Sequence, residues 1–306
     1  MSASSAKRNV FLSSYASGIA QNRKDSLANF IAPIVAVGAA SGQYKKYNSK
    51  NDFQVIDTSR AIAGARKRIE FSATDPFFNC LPQGLETAVD DHERKLAGEV
   101  GGPALEESRI KNLVGVSLTS HEKKVFDLIK AGKTATVGVG VWSNAAIDPV
   151  AEIDAQILAI ATETGILPNR IIFGIGAWQV FRNHPLVKSR QPGAEVVGIT
   201  GDQAMRMMLN PQMEFRIGIM SADAAKFGAG PNKSNIVGGE VFVFFASDDP
   251  DQMDASFAKT FATTSTMIDG VRQYREENAA SDVFFVDWTE DIQVVAAECA
   301  RRITIS

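Results

Sequence analysis

Residues Pro103–Gly132, PALEESRIKNLVGVSLTSHEKKVFDLIKAG, decide how the rest of the chain is read. Ile110, Val114, Leu118, His121, Val125 and Leu128 fall at spacings of three and four, which lays one apolar stripe along a helix. Pro103 suits the first helical position, where its missing N–H loses no partner, and Gly132 suits the stop. The predicted helix is about 29 residues long, roughly 43 Å at 1.5 Å per residue. That is more than twice the usual length in globular proteins. Such a helix is a spine for an extended subunit.

On the N-terminal side, Gly101-Gly102-Pro103 breaks the chain, and Leu85 to Leu96 is predicted as a separate helix. Further upstream lies the most unusual stretch, Tyr44 to Ala73. It sets Lys45, Lys46, Lys50, Arg60, Arg66, Lys67 and Arg68 against Asp52, Asp57 and Glu70. Phe53, Val55, Ile69 and Phe71 alternate weakly with period two around the small, flexible Thr58 to Gly64. This predicts a long β-hairpin with polar residues on both faces. A hairpin of that kind is marginal alone in water and needs a partner surface. Phe53, Val55, Ile69 and Phe71, with Arg66, Lys67 and Arg68, are its candidate contacts to a neighbouring subunit. The basic triplet itself has three readings: a solvated hairpin edge, a contact with an acidic partner, or a contact with DNA. Residues 1–30 are rich in Ser, Ala and Asn, with Lys7, Arg8, Arg23 and Lys24 against Asp25. They show no clear period and are expected to be an arm rather than a packed element. Ile31 to Val37 is a short apolar run, ended by the small residues of Gly38 to Gly42.

Downstream of the spine, Val137 to Trp142 is a strand candidate. Asp148 is placed to cap a helix with Pro149 in its first turn, Ile153, Ile157, Ile160 and Ala161 on its apolar face, and Gly165 at its end. Arg170 to Ile175 is a buried strand, and Ala177 to Phe181 a helical turn stopped near His184-Pro185. Asp202 to Leu209 is a short helix. Met213, Phe215, Ile217 and Ile219 alternate as a strand with one buried face, and Glu240 to Ala246 is a buried strand. Residues 148–246 therefore make an α/β unit. After the turn at Asp248-Asp249-Pro250-Asp251, four β segments are expected: Phe257–Ala262, Met267–Tyr274, Val283–Trp288 and Ile292–Ile305. The last of them could be partly helical over Val294–Arg301.

The 306 residues are 45% apolar and 22% charged, an ordinary globular composition. A net charge of −3 argues against a dedicated nucleic-acid binder and leaves weak contact open. No apolar run approaches the roughly 18 residues of a membrane span, and no signal-peptide run follows Lys7 and Arg8. A soluble protein kept in a cytoplasm is expected, with Cys80 and Cys299 as reduced, partly buried thiols. Catalytic signals are sparse. His92, His121 and His184 have no second His or Cys at metal-ligand spacing, and His121 reads as a core or interface histidine. Gly138-Val139-Gly140 and Gly174-Ile175-Gly176-Ala177-Trp178 begin like dinucleotide loops but lack the third glycine. Asp248, Asp249, Asp251 and Asp254 could join a cation site, but lack the glycine and glutamate of an EF-hand; a solvated acidic turn is expected. Glu106-Glu107 and Asp90-Asp91 are expected on exposed helix faces. No catalytic, cofactor-binding or metal residue is assigned, and the chain is not expected to be an enzyme.

Several segments carry a resemblance in order. They are Ile31-Ala32-Pro33-Ile34-Val35-Ala36-Val37-Gly38 followed by Ser41-Gly42-Gln43-Tyr44, then Leu85-Glu86-Thr87-Ala88-Val89-Asp90-Asp91-His92-Glu93. Trp142-Ser143 with Asp148-Pro149 and Ile153-Asp154 is the clearest. Gly165-Ile166-Leu167-Pro168-Asn169, Gly174-Ile175-Gly176-Ala177-Trp178 and Asn183-His184-Pro185 complete the series. Taken together, the chain resembles the major capsid proteins of tailed bacteriophages with the HK97-type fold.

The resemblance implies an α+β fold with an N-terminal arm (1–43) and an extended β-hairpin loop (44–76). It implies a peripheral domain that starts with the spine (77–147) and returns as a C-terminal β part (251–306), and an α/β axial domain (148–250). It implies self-assembly into pentamers and hexamers of an icosahedral phage head enclosing double-stranded DNA, built in the host cytoplasm and resident in the virion. The implied partners are other copies, scaffolding, portal and decoration proteins, and non-specific contact with packaged DNA, with no membrane and no cofactor. Two departures stand out. The spine begins too early for the N-terminal scaffolding segment of some relatives. Lys45, Lys46 and Lys50 could supply the lysine of a covalent cross-link, but no acceptor motif matches. An encapsulin-type nanocompartment shell shares the fold and is the nearest alternative. An α/β enzyme with a nucleotide-like site in 148–246 is the alternative from another class.

Overall fold

The computed structural model describes residues 6–22, 26–44, 57–60, 62, 64, 66, 76–132, 136–137, 141–191, 198–225, 229–264, 268 and 270–305. The chain starts with β1 (Lys7–Arg8), α1 (Val10–Asn22), α2 (Ala28–Ile31), β2 (Ile34–Ala36) and β3 (Ser41–Gln43). After residue 76 come β4 (Phe77–Asn79), β5 (Leu81–Asp90), the spine α3 (Asp91–Gly132) and β6 (Thr136–Val137). The middle of the chain holds α4 (Pro149–Thr164), β7 (Arg170–Gly174), α5 (Ile175–Asn183), α6 (Pro185–Lys188), α7 (Gly201–Arg206) and β8 (Glu214–Gly218). It continues with β9 (Ser221–Asp223), β10 (Lys233–Asn235) and β11 (Glu240–Phe244). The last part is β12 (Ala258–Ala262), β13 (Val271–Glu276), β14 (Ser281–Val294) and β15 (Ala300–Thr304).

Two larger sheets organise these elements. The first has the order β1-β13-β14-β12-β2, with β5 also paired to β14. Its axis is β14, which pairs antiparallel with β5 from Ser281 to Glu290 and with β12 from Asp291 to Val294. The second sheet has the order β6-β15-β11-β7-β8. Side chains on its two central strands alternate between two cores, as the period of a strand requires. Ile171, Phe173, Val241 and Val243 face the cluster that includes Ile153, Ile157, Ile160 and Phe181. Ile172, Phe242 and Phe244 face the cluster that includes Phe30, Val125, Phe126 and Ile129.

The spine joins the two sheets. Ile110, Val114 and Leu118 pack with Phe284, Val286 and Trp288 of the first, and Val125, Phe126 and Ile129 pack under the second. The predicted stripe holds up to Val125. Beyond it, Phe126 and Ile129 are fully buried in the core under the second sheet, while Leu128 is 36% exposed. The helix begins at Asp91, twelve residues before Pro103, but it is not one rod. Gly98 alone has non-helical dihedrals, φ 72 and ψ 177, a region essentially reserved for glycine. Arg94 Nη2 lies 2.7 Å from Glu106 Oε1, and Arg109 Nη2 lies 2.9 Å from Glu93 Oε1. In a straight helix those pairs would be about 18 and 24 Å apart along the axis. The chain therefore doubles back at Gly98.

Several expectations need correction. Leu85 to Asp90 is strand rather than helix: Leu81–Asp90 pairs residue for residue with β14, and only from Asp91 is the chain helical. The ten-residue ladder overrides the helical preference of Leu, Glu and Ala. Within residues 1–30, Val10–Asn22 is a packed helix rather than loose chain. Leu12, Tyr15, Ala16, Ile19 and Ala20 follow helical spacing on α1 and join the core of the first sheet. Asn9 Oδ1 accepts from Leu12 N at 3.1 Å at the start of this helix. Of Val137–Trp142, the described residues are Val137, which is strand, and Val141 and Trp142, which lead into a turn, with Trp142 buried. β8 is a sheet edge, so Phe215 and Ile217 are half-buried and Ile219 is 53% exposed. The C-terminal strand β15 does not stay with the other C-terminal strands; Glu240–Phe244 pairs with Ala300–Thr304 in the second sheet.

The start and stop of α4 are as expected. Asp148 Oδ1 accepts from Val150 N at 3.1 Å, Pro149 opens the helix, and Gly165 closes it in the left-handed region at φ 66.

Candidate functional surfaces

The glycine turn at Gly174 tests the nucleotide reading. β7 runs directly into α5, so two backbone N–H groups at the helix start could receive an anion. They are already used. Gly176 N and Ala177 N donate to the carbonyl oxygen of Gly238 at 3.1 and 3.2 Å. A Cβ on Gly174 would stand 2.1 Å from that oxygen and 2.7 Å from its carbon. Gly174 is therefore glycine so that the strand–helix turn can seat against the Gly238 backbone. The other candidate turn, Gly138-Val139-Gly140, lies outside the described residues.

The titratable groups are engaged in packing. His121 is buried between the spine and β14, its Nδ1 2.6 Å from Glu290 Oε2, and Lys124 Nζ takes Glu290 Oε1 at 2.7 Å. Burial alone would raise the pKa of Glu290; the hydrogen bond and charge of His121, then those of Lys124, overcome it and bring it to about 2. His184 caps α6 by accepting from Leu186 N at 3.3 Å. His92 is exposed. Cys80 and Cys299 are free and buried, and burial, aided by the charge of Asp291, pushes the Cys80 thiol up. Among the described residues, no three His, Cys, Asp or Glu side chains are grouped to hold a metal.

The acidic turn is only partly solvated, which corrects the sequence expectation. Asp248 pairs with the buried Arg170 at 2.6 Å. Asp254 pairs at 2.6 Å with Lys259, whose side chain is 0% exposed. Lys259 is a functional group the sequence hides: its one signal is a lone cation inside the apolar strand Phe257-Ala258-Lys259-Thr260-Phe261-Ala262. Asp91 and Glu106 are likewise not plain exposed faces. Asp91 forms a two-pronged pair with Arg275, at 2.7 and 2.6 Å. Arg94 bridges Glu106 and Asp282.

Of the predicted intersubunit contacts, Arg66 is exposed; Phe53, Val55, Lys67, Arg68, Ile69 and Phe71 lie outside the described residues. A groove of about 710 Å³ lies beside the spine, lined among others by Ile19, Lys111, Gly115, Val116 and Lys123. Among the described residues no helix is long and apolar enough to cross a membrane.

No protein-family model matches the chain. In sequence it is 26% identical over 195 residues to the major capsid protein of Pseudomonas phage JBD67, covering 61% of this chain and 59% of that protein. The match thus spans less than two thirds of the relative's length. In structure it is similar to a phage-related protein of Bordetella bronchiseptica RB50, with a TM-score of 0.75, 19% identity and 98% of each chain covered. It is also similar to the capsid of Myoviridae phage XM1, with a TM-score of 0.56, 10% identity and 89% of each chain covered. The chain therefore has the mixed helix-and-sheet, HK97-type fold of phage capsid proteins and resembles a phage major capsid protein in sequence.

Proposed function

We propose that this chain is the repeating subunit of a phage head. The observation that carries the proposal is the joint one: sequence similarity to a phage major capsid protein and a capsid-type fold along nearly the whole chain. The spine supports it physically. One helix packed into the cores of both sheets makes the subunit stiff along its length, which a thin shell requires. The role is structural rather than enzymatic; the helix start best suited to a phosphate is filled by the carbonyl of Gly238.

In this reading the copies form pentamers and hexamers of an icosahedral shell around double-stranded DNA, assembled in the host cytoplasm and retained in the virion. The subunit divides into an arm (1–43), an extended loop (44–76), a peripheral part (77–147 and 251–306) and an axial part (148–250), with β15 as the strand that ties the last segment to the axial sheet. Scaffolding, portal and decoration proteins are the expected protein partners, and contact with packaged DNA is non-specific. The basic loop lies over a neighbouring subunit, with Phe53, Val55, Ile69 and Phe71 buried across the contact and Arg66, Lys67 and Arg68 setting its register. Each contact is weak, but it recurs in every copy. Sedimentation velocity of the purified chain tests the proposal: capsomer-sized or larger species are expected, and a strict monomer with and without a scaffolding protein would count against it.

A further inference from the structure

We propose that the acidic loop between β11 and β12 is a monovalent-cation site whose occupant is the chain's own ammonium, that of Lys259. The Nζ of Lys259 donates to the carbonyl oxygens of Asp251 and Asp254 at 2.7 and 2.8 Å and lies 2.6 Å from Asp254 Oδ1. Three oxygens at these distances satisfy all three ammonium protons. The side chain is 0% exposed, so no water competes for them. The loop is wound for this purpose. Asp254 Oδ1 also accepts from Asp251 N at 3.0 Å, and its Oδ2 accepts from Ser256 N at 3.1 Å and from the Ser256 hydroxyl. Ser256 Oγ in turn accepts from Ser247 N at 2.8 Å, closing the loop on itself.

The charges fix the class of ligand. One carboxylate, that of Asp254, and two neutral carbonyls contact the ammonium, and the charge of Asp251 acts on it from further off. A divalent ion seeks more carboxylates in direct contact than the one that lines this site. Potassium and primary ammonium ions fit the charge and the all-oxygen lining. The site sits where the chain passes from one sheet to the other: Phe257 N donates to Phe245 O at 2.9 Å just outside the loop. The bound ammonium therefore holds the crossover between the two sheets. This inference does not depend on the shell reading.

Lys259→Ala opens the cage while keeping Asp254. The full-length variant is unfolded in denaturant with n-propylammonium, with potassium, or with tetramethylammonium, all as chlorides at equal ionic strength. Propylammonium supplies the three carbons and nitrogen that the substitution removes. The midpoint should rise with propylammonium or potassium and saturate, with tetramethylammonium inert and wild type indifferent to all three. A variant too unstable to purify is refolded from denaturant in the same three salts, and the same order in yield is expected. Lys259→Met with Asp254→Asn removes cation and carboxylate together and should show no preference among the salts. Equal midpoints or yields of Lys259→Ala in the three salts would overturn the proposal, as would a salt preference retained by the double variant.

Discussion

His121 Nδ1 and Glu290 Oε2 stand 2.6 Å apart, both buried, and join the spine to the longest strand of the first sheet. An ionised carboxylate can only accept, so the imidazole must donate through Nδ1. Removing Glu290 would leave His121 and Lys124 without their shared acceptor. Glu290→Ala should therefore destabilise the subunit by about 3 kcal/mol at neutral pH, measured by urea unfolding.

The same pair sets an acid dependence. The carboxyl of Glu290 titrates at about 2 when folded, against an ordinary value of 4.5. Its contribution is complete above pH 4.5 and is lost as the pH falls from there through about 2. The stability difference between wild type and Glu290→Gln should narrow over that window. A difference that stays constant from pH 5 to pH 2.5 would show that the pair carries no linked proton.

Gly174→Ala tests why the glycine turn exists. The added methyl would meet the Gly238 carbonyl at 2.1 Å, so backbone must move, at a cost of about 3 kcal/mol or more. Gly230→Ala, with nothing within 4 Å, is the control and should change little. Thermal unfolding of the two variants separates a packing glycine from a dispensable one.

Leu12→Ala tests whether the first helix belongs to the core. Leu12 is 3% exposed and lies with Val89, Ile110 and Val271. A loss of about 3 kcal/mol is expected from urea unfolding. A loose arm would lose almost nothing.

The legible and illegible parts of this sequence differ in physical kind. The spine stripe and the Asp148-Pro149 start with its Gly165 stop were readable because local periodicity and capping chemistry fix them. The β5 strand was not, because its ten residues take their conformation from β14, about 200 positions away, and Leu-Glu-Thr-Ala alone favours a helix. The first helix was hidden by Ser and Ala, whose small side chains blur the stripe of Leu12, Ala16 and Ile19. Lys259 was hidden because its carbonyl partners are backbone atoms, which leave no mark in composition. The glycines of 174–176 were visible but ambiguous: a close backbone and a phosphate demand the same missing side chain.

Arg66, Lys67 and Arg68 changed together to Glu should impair assembly and leave subunit stability unchanged. Electron micrographs and urea unfolding of the same preparation read the two effects separately. Normal particles from the triple variant would remove the basic triplet from the subunit contact.

Cryo-electron microscopy of the protein, produced with a scaffolding protein if one is needed, tests the central claim most directly. The account predicts closed shells or free rings of five and six copies, with the basic loop of one copy lying over its neighbour. Particles with no shell or capsomer under any of these conditions, and only single chains in the images, would contradict it.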